Sequence, residues 1–183
     1  MLEAAVRRRN QRRGVAARRG AAALAAAAIV LAAAVLACAP REGTTPVTDE
    51  MRAAARVVIE RGEMPDWRTW ELESTERGVR YIDLVPGTGR RPDWGNTVRV
   101  HYHLWLTDGT LVDSSLENDA TPFEFEVGEG RVVPGWENVV RHLRAGGEYL
   151  IVVPPELGYG RRGSRTVPGN ATLVFYLEII GVR

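Results

Sequence analysis

GEGRVVPGWENVVRHLRAGG, residues 128–147, decides how the rest of the chain is read. Trp136, Val139, Val140 and Leu143 recur at helical spacing, so the stretch predicts a short helix with one apolar face. Pro134 suits the entry, because a first-turn residue needs no backbone N–H. Gly146 suits the exit, where a left-handed residue is commonly required. On both sides the period changes from 3.6 to two. Apolar residues alternate over 79–85, 97–106, 123–127, 148–153 and 171–181, and 67–74 pairs with 79–85 around a turn at 75–78. One short apolar helix among antiparallel strands predicts an α+β fold, a sheet curled around that helix. Trp136 then stands near the helix N-terminus as the floor of any pocket.

The strand over 97–106 carries the clearest alternation. Val98, Val100, Tyr102, Leu104 and Leu106 share one face; Arg99, His101, His103 and Trp105 share the other, which is expected to face solvent. Asp108-Gly109 is a hairpin turn. Asp113-Ser114-Ser115 opens a loop that runs to Pro122, and 157–170 is a long Gly-rich loop. In the last strand Leu173, Phe175, Leu177 and Ile179 share one face.

The 183 residues also hold segments outside this domain. Residues 1–37 run from an Arg-rich start into an apolar stretch over 21–37, which reads as an export signal. Val35-Leu36-Ala37-Cys38 resembles the bacterial lipobox, in which the cysteine thiol becomes acylated after cleavage. Cys38 is the only cysteine, so no internal disulfide can form. The expected organisation is a signal segment over 1–37, a tether and short helix over 38–66, and the main domain over 67–183. Thr48 caps that short helix, and Met51, Ala54, Ala55, Val58 and Ile59 form its apolar stripe. A helix this short is marginal alone, so it packs on the domain or on a second copy.

All 24 basic residues are arginine, and the formal charge is +1. Beyond Cys38, 17 Arg stand against 22 Asp and Glu, so the mature chain carries about five net negative charges. That balance argues against nucleic acid as a partner. The lack of lysine removes P-loop and Schiff-base chemistry. Ser114 lies in no nucleophile elbow and suits a turn better. His101 and His103 share a face but have no third ligand at a telling spacing. No carboxylate pair is singled out for glycoside chemistry. What remains is an aromatic set, Tyr102, Phe123, Trp136, Tyr159 and Phe175, which by pattern alone is also what a plain core would contain. As a pocket it would take an apolar ring rather than a charged group.

Seven motifs then fall in register: Val100-His101-Tyr102, Asp108-Gly109, Val112-Asp113-Ser114-Ser115, Pro122-Phe123-Glu124-Phe125, Val132-Val133-Pro134-Gly135-Trp136-Glu137, Gly158-Tyr159-Gly160, and Ala171-Thr172-Leu173-Val174-Phe175. Over 79–182 the chain resembles the FK506-binding (FKBP) type of peptidyl-prolyl cis-trans isomerase. The resemblance implies a half-barrel around one helix and a proline pocket with Trp136 as floor. It makes Tyr102, Asp113, Phe123, Trp136, Tyr159 and Phe175 the catalytic set, with Val112, Val132, Val133 and Val167 touching substrate. The Tyr159 hydroxyl and the Val133 N–H would bond substrate carbonyls, and no cofactor or metal is needed. The implied partners are proline-containing polypeptide clients and FK506-like macrolides, with a membrane reached through lipid on Cys38 and a location in the cell envelope. Two departures stand out. Val112 replaces the Phe usual beside the Asp, and the loop over 160–168 is shorter and carries Arg161, Arg162 and Arg165. These keep a rival reading open: a chaperone or binding module of the same fold with little turnover.

Overall fold

The computed structural model describes residues 44–117 and 120–183; the expected signal segment and the Cys38 lipidation site lie outside the described residues. Its centre is a pair of ten-residue strands, β3 (Thr97–Leu106) and β7 (Leu173–Val182), joined antiparallel. β6 (Glu148–Val153) pairs with β7 on its other side, followed by β2 (Arg80–Val85) and the two-residue β1 (Glu73–Ser74). Beyond β3 lie β4 (Leu111–Ser114) and β5 (Phe123–Glu126), both paired with it. Every ladder is antiparallel, as expected of strands joined by hairpins and loops.

The inner face holds Val98, Val100, Leu104, Phe175, Leu177 and Ile179, all at most 3% exposed. They pack on Trp136, Val139, Val140 and Leu143, so the helical stripe meets the alternating strand face. The helix itself is shorter than its sequence pattern suggests. α2 spans Pro134–Val139 and tightens into a 3-10 turn over Val140–His142. Leu143 is extended and still reaches the core, and Gly146 (φ 78°) belongs to the turn entering β6 rather than to a helix cap. Two glycines permit close approaches here. A Cβ on Gly135 would lie 2.4 Å from Val153 Cγ1, so Pro-Gly-Trp seats the helix start directly on β6. A Cβ on Gly147 would lie 2.2 Å from the Tyr149 hydroxyl, which donates to the Arg144 carbonyl and accepts from the Arg144 N–H, both at 2.9 Å.

The outer face differs from the solvent-facing surface expected for it. Trp105 is fully buried and His103 is 3% exposed, in a second core with Ile82, Leu150, Val152, Val174 and Tyr176. The cover is α1 (Asp49–Ile59), capped by the Thr48 hydroxyl, with Ala55 and Ile59 facing inward. The helix therefore packs on its own domain. Arg56 makes a two-pronged bond to Glu148 at 2.8 and 2.9 Å, Arg52 donates to the Asp83 carbonyl, and the Trp105 indole donates to the Gly62 carbonyl at 2.8 Å. The expected boundary at 66/67 is no break in the packing: residues 44–183 form one compact unit. Likewise 67–74 is not one strand. Trp67 and Trp70 sit in a turn with their side chains in the outer core, and Thr45 bridges to Trp70. The physical reason is shared. A sheet with two apolar faces needs two covers, and the period-two pattern identifies faces without saying which is wet.

His103 is sealed in that second core, between the rings of Trp105 (5.1 Å) and Tyr176 (6.0 Å). Burial lowers its pKa, while the Glu117 carboxylate and the Ile59 carbonyl pull weakly the other way. A neutral histidine held below its unfolded pKa adds stability that is present above about pH 6.5 and lost as pH falls through the folded value. The urea midpoint should therefore drop between pH 7.5 and pH 5.5, and more for the wild type than for His103→Phe. Equal drops in both proteins would show that this buried ring is not the sensitive group.

Candidate active site

The strand register brings the aromatic set together. Leu104 of β3 lies opposite Phe175 of β7 and Asp113 of β4, and Val100 lies opposite Phe123 of β5. Because alternate residues share a face, Tyr102, Leu104, Phe123 and Phe175 line one end of the curled sheet. The first turn of α2 drives Trp136 up between them. Its ring lies 5.2 Å from Phe175, 5.4 Å from Tyr102, 5.6 Å from Phe125 and 6.3 Å from Phe123, three of these edge-to-face or nearly so. Such edge contacts suit the ring quadrupoles and fix ring orientation. The result is an open cavity of about 420 Å³ with an indole floor and aromatic walls.

The polar groups stand at the rim. Tyr102 donates its hydroxyl to Asp113 Oδ2 at 2.7 Å, and the Ser114 N–H donates to Asp113 Oδ1 at 2.9 Å. Both carboxylate oxygens are thereby engaged, and Tyr102 is held over the cavity. Ser114 belongs to β4 rather than to a loop, which fixes Asp113 beside Leu104. Burial and then the Asp113 carboxylate push the Tyr102 hydroxyl far above the usual tyrosine range. Burial first, with help from the Asp113 charge, also raises Tyr159. Both hydroxyls thus stay protonated donors at any physiological pH. The Tyr159 hydroxyl has no hydrogen-bond partner among the described residues, and its side chain is 40% exposed. The Val133 N–H is also unbonded within the described residues. Two free donors therefore border an apolar hole, an arrangement that grips the carbonyls of an extended peptide while an apolar ring fills the hole.

Of the residues expected at the site, Tyr102, Asp113, Phe123, Trp136, Tyr159, Phe175, Val132 and Val133 all line this cavity. Val112 and Val167 do not. Val112 packs partly buried on the edge of the inner core, and Val167 is 3% exposed within that core, where it pins the 157–170 loop from below. Leu104, Arg131, Pro134 and Gly158 complete the lining and were not expected there. Leu104 was legible from its alternation with Tyr102. Arg131 and Gly158 carry no signal beyond standing next to lining residues. His101, weighed for metal binding, instead has Nδ1 at 3.2 Å from the Ser115 hydroxyl, while His103 lies in the second core.

Comparison with known proteins gives a consistent result. The family model for FKBP-type peptidyl-prolyl cis-trans isomerase matches residues 88–180. FK506-binding protein 1A of Aspergillus fumigatus is 36% identical over 115 residues, 62% of this chain and 93% of that protein. Peptidyl-prolyl cis-trans isomerase FKBP15-2 of Arabidopsis thaliana is 46% identical over 89 residues, 48% of this chain, and the chain spans only 54% of its length. FKBP-type peptidyl-prolyl cis-trans isomerase FkpA of Aeromonas hydrophila is 37% identical over 111 residues, 61% of this chain and 40% of that protein. Among solved structures, the crystal structure of AtFKBP13 superposes with a TM-score of 0.56 at 31% identity, covering 62% of this chain and 99% of the other. A peptidyl-prolyl cis-trans isomerase from Pseudomonas syringae gives 0.57 at 27% identity, covering 76% and 98%.

Removing only the Tyr159 hydroxyl tests the rim donor. In Tyr159→Phe the affinity for a short X-Pro peptide should fall about two- to twelvefold, the worth of one hydrogen bond of ~0.5–1.5 kcal/mol. Titration calorimetry with unchanged circular dichroism reads this. Unaltered affinity would remove Tyr159 from peptide binding.

Proposed function

The chain belongs to the FKBP-type peptidyl-prolyl cis-trans isomerase family, and on that premise we propose that it catalyses cis–trans rotation of X-Pro bonds in polypeptides that enter the aromatic cavity. The observation that carries this reading is the indole floor of Trp136, walled by Tyr102, Phe123 and Phe175 and bordered by two unbonded donors. Rotation is slow because the planar amide is resonance-stabilised, with a barrier of ~18–20 kcal/mol. At the twisted transition state the C–N bond loses double-bond character and the amide loses charge separation. An apolar, water-poor cavity disfavours the planar, polar amide more than the twisted one, which is differential binding in favour of the transition state.

In this reading each group has one task. The proline ring sits on Trp136 between Phe123 and Phe175. The Val133 N–H and the Tyr159 hydroxyl hold carbonyls on the flanking chain, so that the amide turns against a fixed frame. Tyr102 is a wall held in place by Asp113, whose oxygens are already engaged by Tyr102 and Ser114. FK506-like macrolides, which present apolar rings and carbonyls, would compete for the same cavity.

We further propose that the chain is exported and held to the outer side of a membrane of the cell envelope by lipid on Cys38. The support is the sequence: an Arg-rich start, an apolar run over 21–37, and Val35-Leu36-Ala37-Cys38. Two acyl chains give stable anchoring where one is marginal. The clients would then be exported proteins whose X-Pro bonds limit folding.

A peptide cis-to-trans assay with protein starting after Cys38 tests the activity. The observed rate should exceed the spontaneous rate, and kcat/KM should fall at least tenfold, ~1.4 kcal/mol of barrier, in Phe123→Ala with its fold intact. A rate equal to the uncatalysed one would leave a binding module. For the anchor, full-length Cys38→Ser should keep the mass of the unprocessed, unacylated chain, whereas the wild type should carry the mass of the cleaved and acylated one. Processing of Cys38→Ser identical to that of the wild type would refute lipidation.

A further inference from the structure

The charge at the cavity mouth runs against the charge of the domain. Residues 44–183 contain 16 Arg against 21 Asp and Glu, a net of about −5. Among the described residues the charged side chains lining the cavity are Arg131, paired with Glu129, and Asp113, which keeps its charge while accepting from Tyr102 and the Ser114 N–H. Directly after Tyr159 the loop turns and presents Arg161, Arg162 and Arg165, all exposed. None of the three has a carboxylate within ion-pair distance among the described residues, whereas both arginines of α1 and the single arginine of β3 are paired. Nearby carboxylates are mostly committed. Glu137 accepts from the N–H groups of Gly128 and Gly130, and Glu129 faces Arg131 at 3.6 Å. Glu156, exposed on the 3-10 turn before Gly158, has no ion-pair partner among the described residues.

The loop that carries these arginines is a fixed platform. Val167 is buried in the inner core, the Ser164 N–H donates to the Val167 carbonyl at 2.8 Å, and the Asn170 N–H donates to the Gly160 carbonyl at 2.9 Å. Gly169 packs so closely under Arg161 that a Cβ there would lie 2.3 Å from the Arg161 carbonyl. The backbone is set, and only the long side chains are free to meet a ligand. An extended peptide advances about 3.5 Å per residue. Arg161 and Arg162 follow Tyr159 of the cavity lining by two and three residues, which puts their side chains within reach of residues flanking a proline seated on Trp136.

We infer that the rim arginines select substrates with an acidic residue within about three positions of the isomerised proline. Aspartate or glutamate there meets the Arg161, Arg162 and Arg165 group, while the aromatic cavity itself reads only the ring. Guanidinium suits this task because its fork accepts a carboxylate in two-pronged fashion and it is never deprotonated. A local positive patch on a negative domain also focuses anionic segments toward the mouth. The inference rests on the proposed activity for its substrate, and the test keeps the two apart.

Two pairs of capped peptides are compared, one pair with Glu or Gln directly before proline and one with Glu or Gln two residues after it. Binding is read by calorimetry and turnover by exchange-rate NMR, in 20 mM and 1 M salt. An exposed charge pair is worth about 1.5- to fivefold, so with several arginines the Glu peptide of at least one pair should bind about fivefold or more tightly at low salt. The preference should vanish at 1 M salt, where the screening length is only ~3 Å. It should also collapse in the triple variant Arg161→Gln, Arg162→Gln, Arg165→Gln, whose exposed and unpaired positions leave the fold intact by circular dichroism. Isomerisation of all peptides with no Glu preference in either pair overturns the inference and leaves the activity standing. A salt-sensitive Glu preference in binding without turnover sustains the inference and sinks the activity. A preference that survives the triple substitution, whatever its salt dependence, assigns it elsewhere and overturns the role of this loop.

Discussion

The register of β3 against β7 is the constraint on which the rest depends. Pairing Leu104 with Phe175 turns Tyr102, Leu104, Phe175 and Leu177 toward α2. The same pairing sets His103 opposite Tyr176 and Trp105 opposite Val174, on the reverse face. A slip of one residue would exchange the two sets, sending the cavity walls under α1 and His103 and Trp105 into the cavity. Both faces are buried, so either displacement puts the wrong side chains in a close-packed core. The functional end and the structural back of the sheet are thus specified by one ladder of hydrogen bonds.

That arrangement explains how a small domain holds an open apolar cavity without collapsing into it. The cavity floor is not a mobile side chain. Trp136 is wedged by four aromatic neighbours and carried on a helix whose start is pressed on β6 at Gly135. Its 4% exposure is the sum of that packing, and the cavity is the space left where the sheet curls away from the helix. The rim is treated differently. Tyr102 is tied to Asp113, but the Tyr159 hydroxyl and the Val133 N–H are left without partners, at a place where water or a peptide can satisfy them. Rigid apolar walls and unspent rim donors are what a reaction needs when its barrier is the twisting of one resonance-stabilised amide.

The back of the sheet shows a separate economy. α1 is only 11 residues, too short to persist alone. It gains its stability from Ala55 and Ile59 on the outer core, and its orientation from Arg56 on Glu148 and Arg52 on the Asp83 carbonyl. In return it seals Trp105 and His103 from water. Residues 44–66 are therefore part of the folded unit rather than an appendage.

Period-two and period-3.6 patterns are local, and they determined what is local: the strands over 97–106 and 148–153, the α2 stripe, and the inner-face set that became the cavity wall. The ordered motifs around Asp113, Trp136 and Tyr159 fixed the family for the same reason, since each is a short turn or cap with its own chemistry. Three things were decided only by the tertiary structure. Whether the face of His101, His103 and Trp105 met water depended on α1 arriving from nearly fifty residues upstream. Whether Val112 and Val167 reached the cavity depended on how the sheet edge and the 157–170 loop were pinned. And the entry of Arg131 and Leu104 into the lining depended on where the sheet curls away from α2. Alternation names the two sides of a strand; what stands on each side is a fact of packing between distant segments, and no local pattern encodes it.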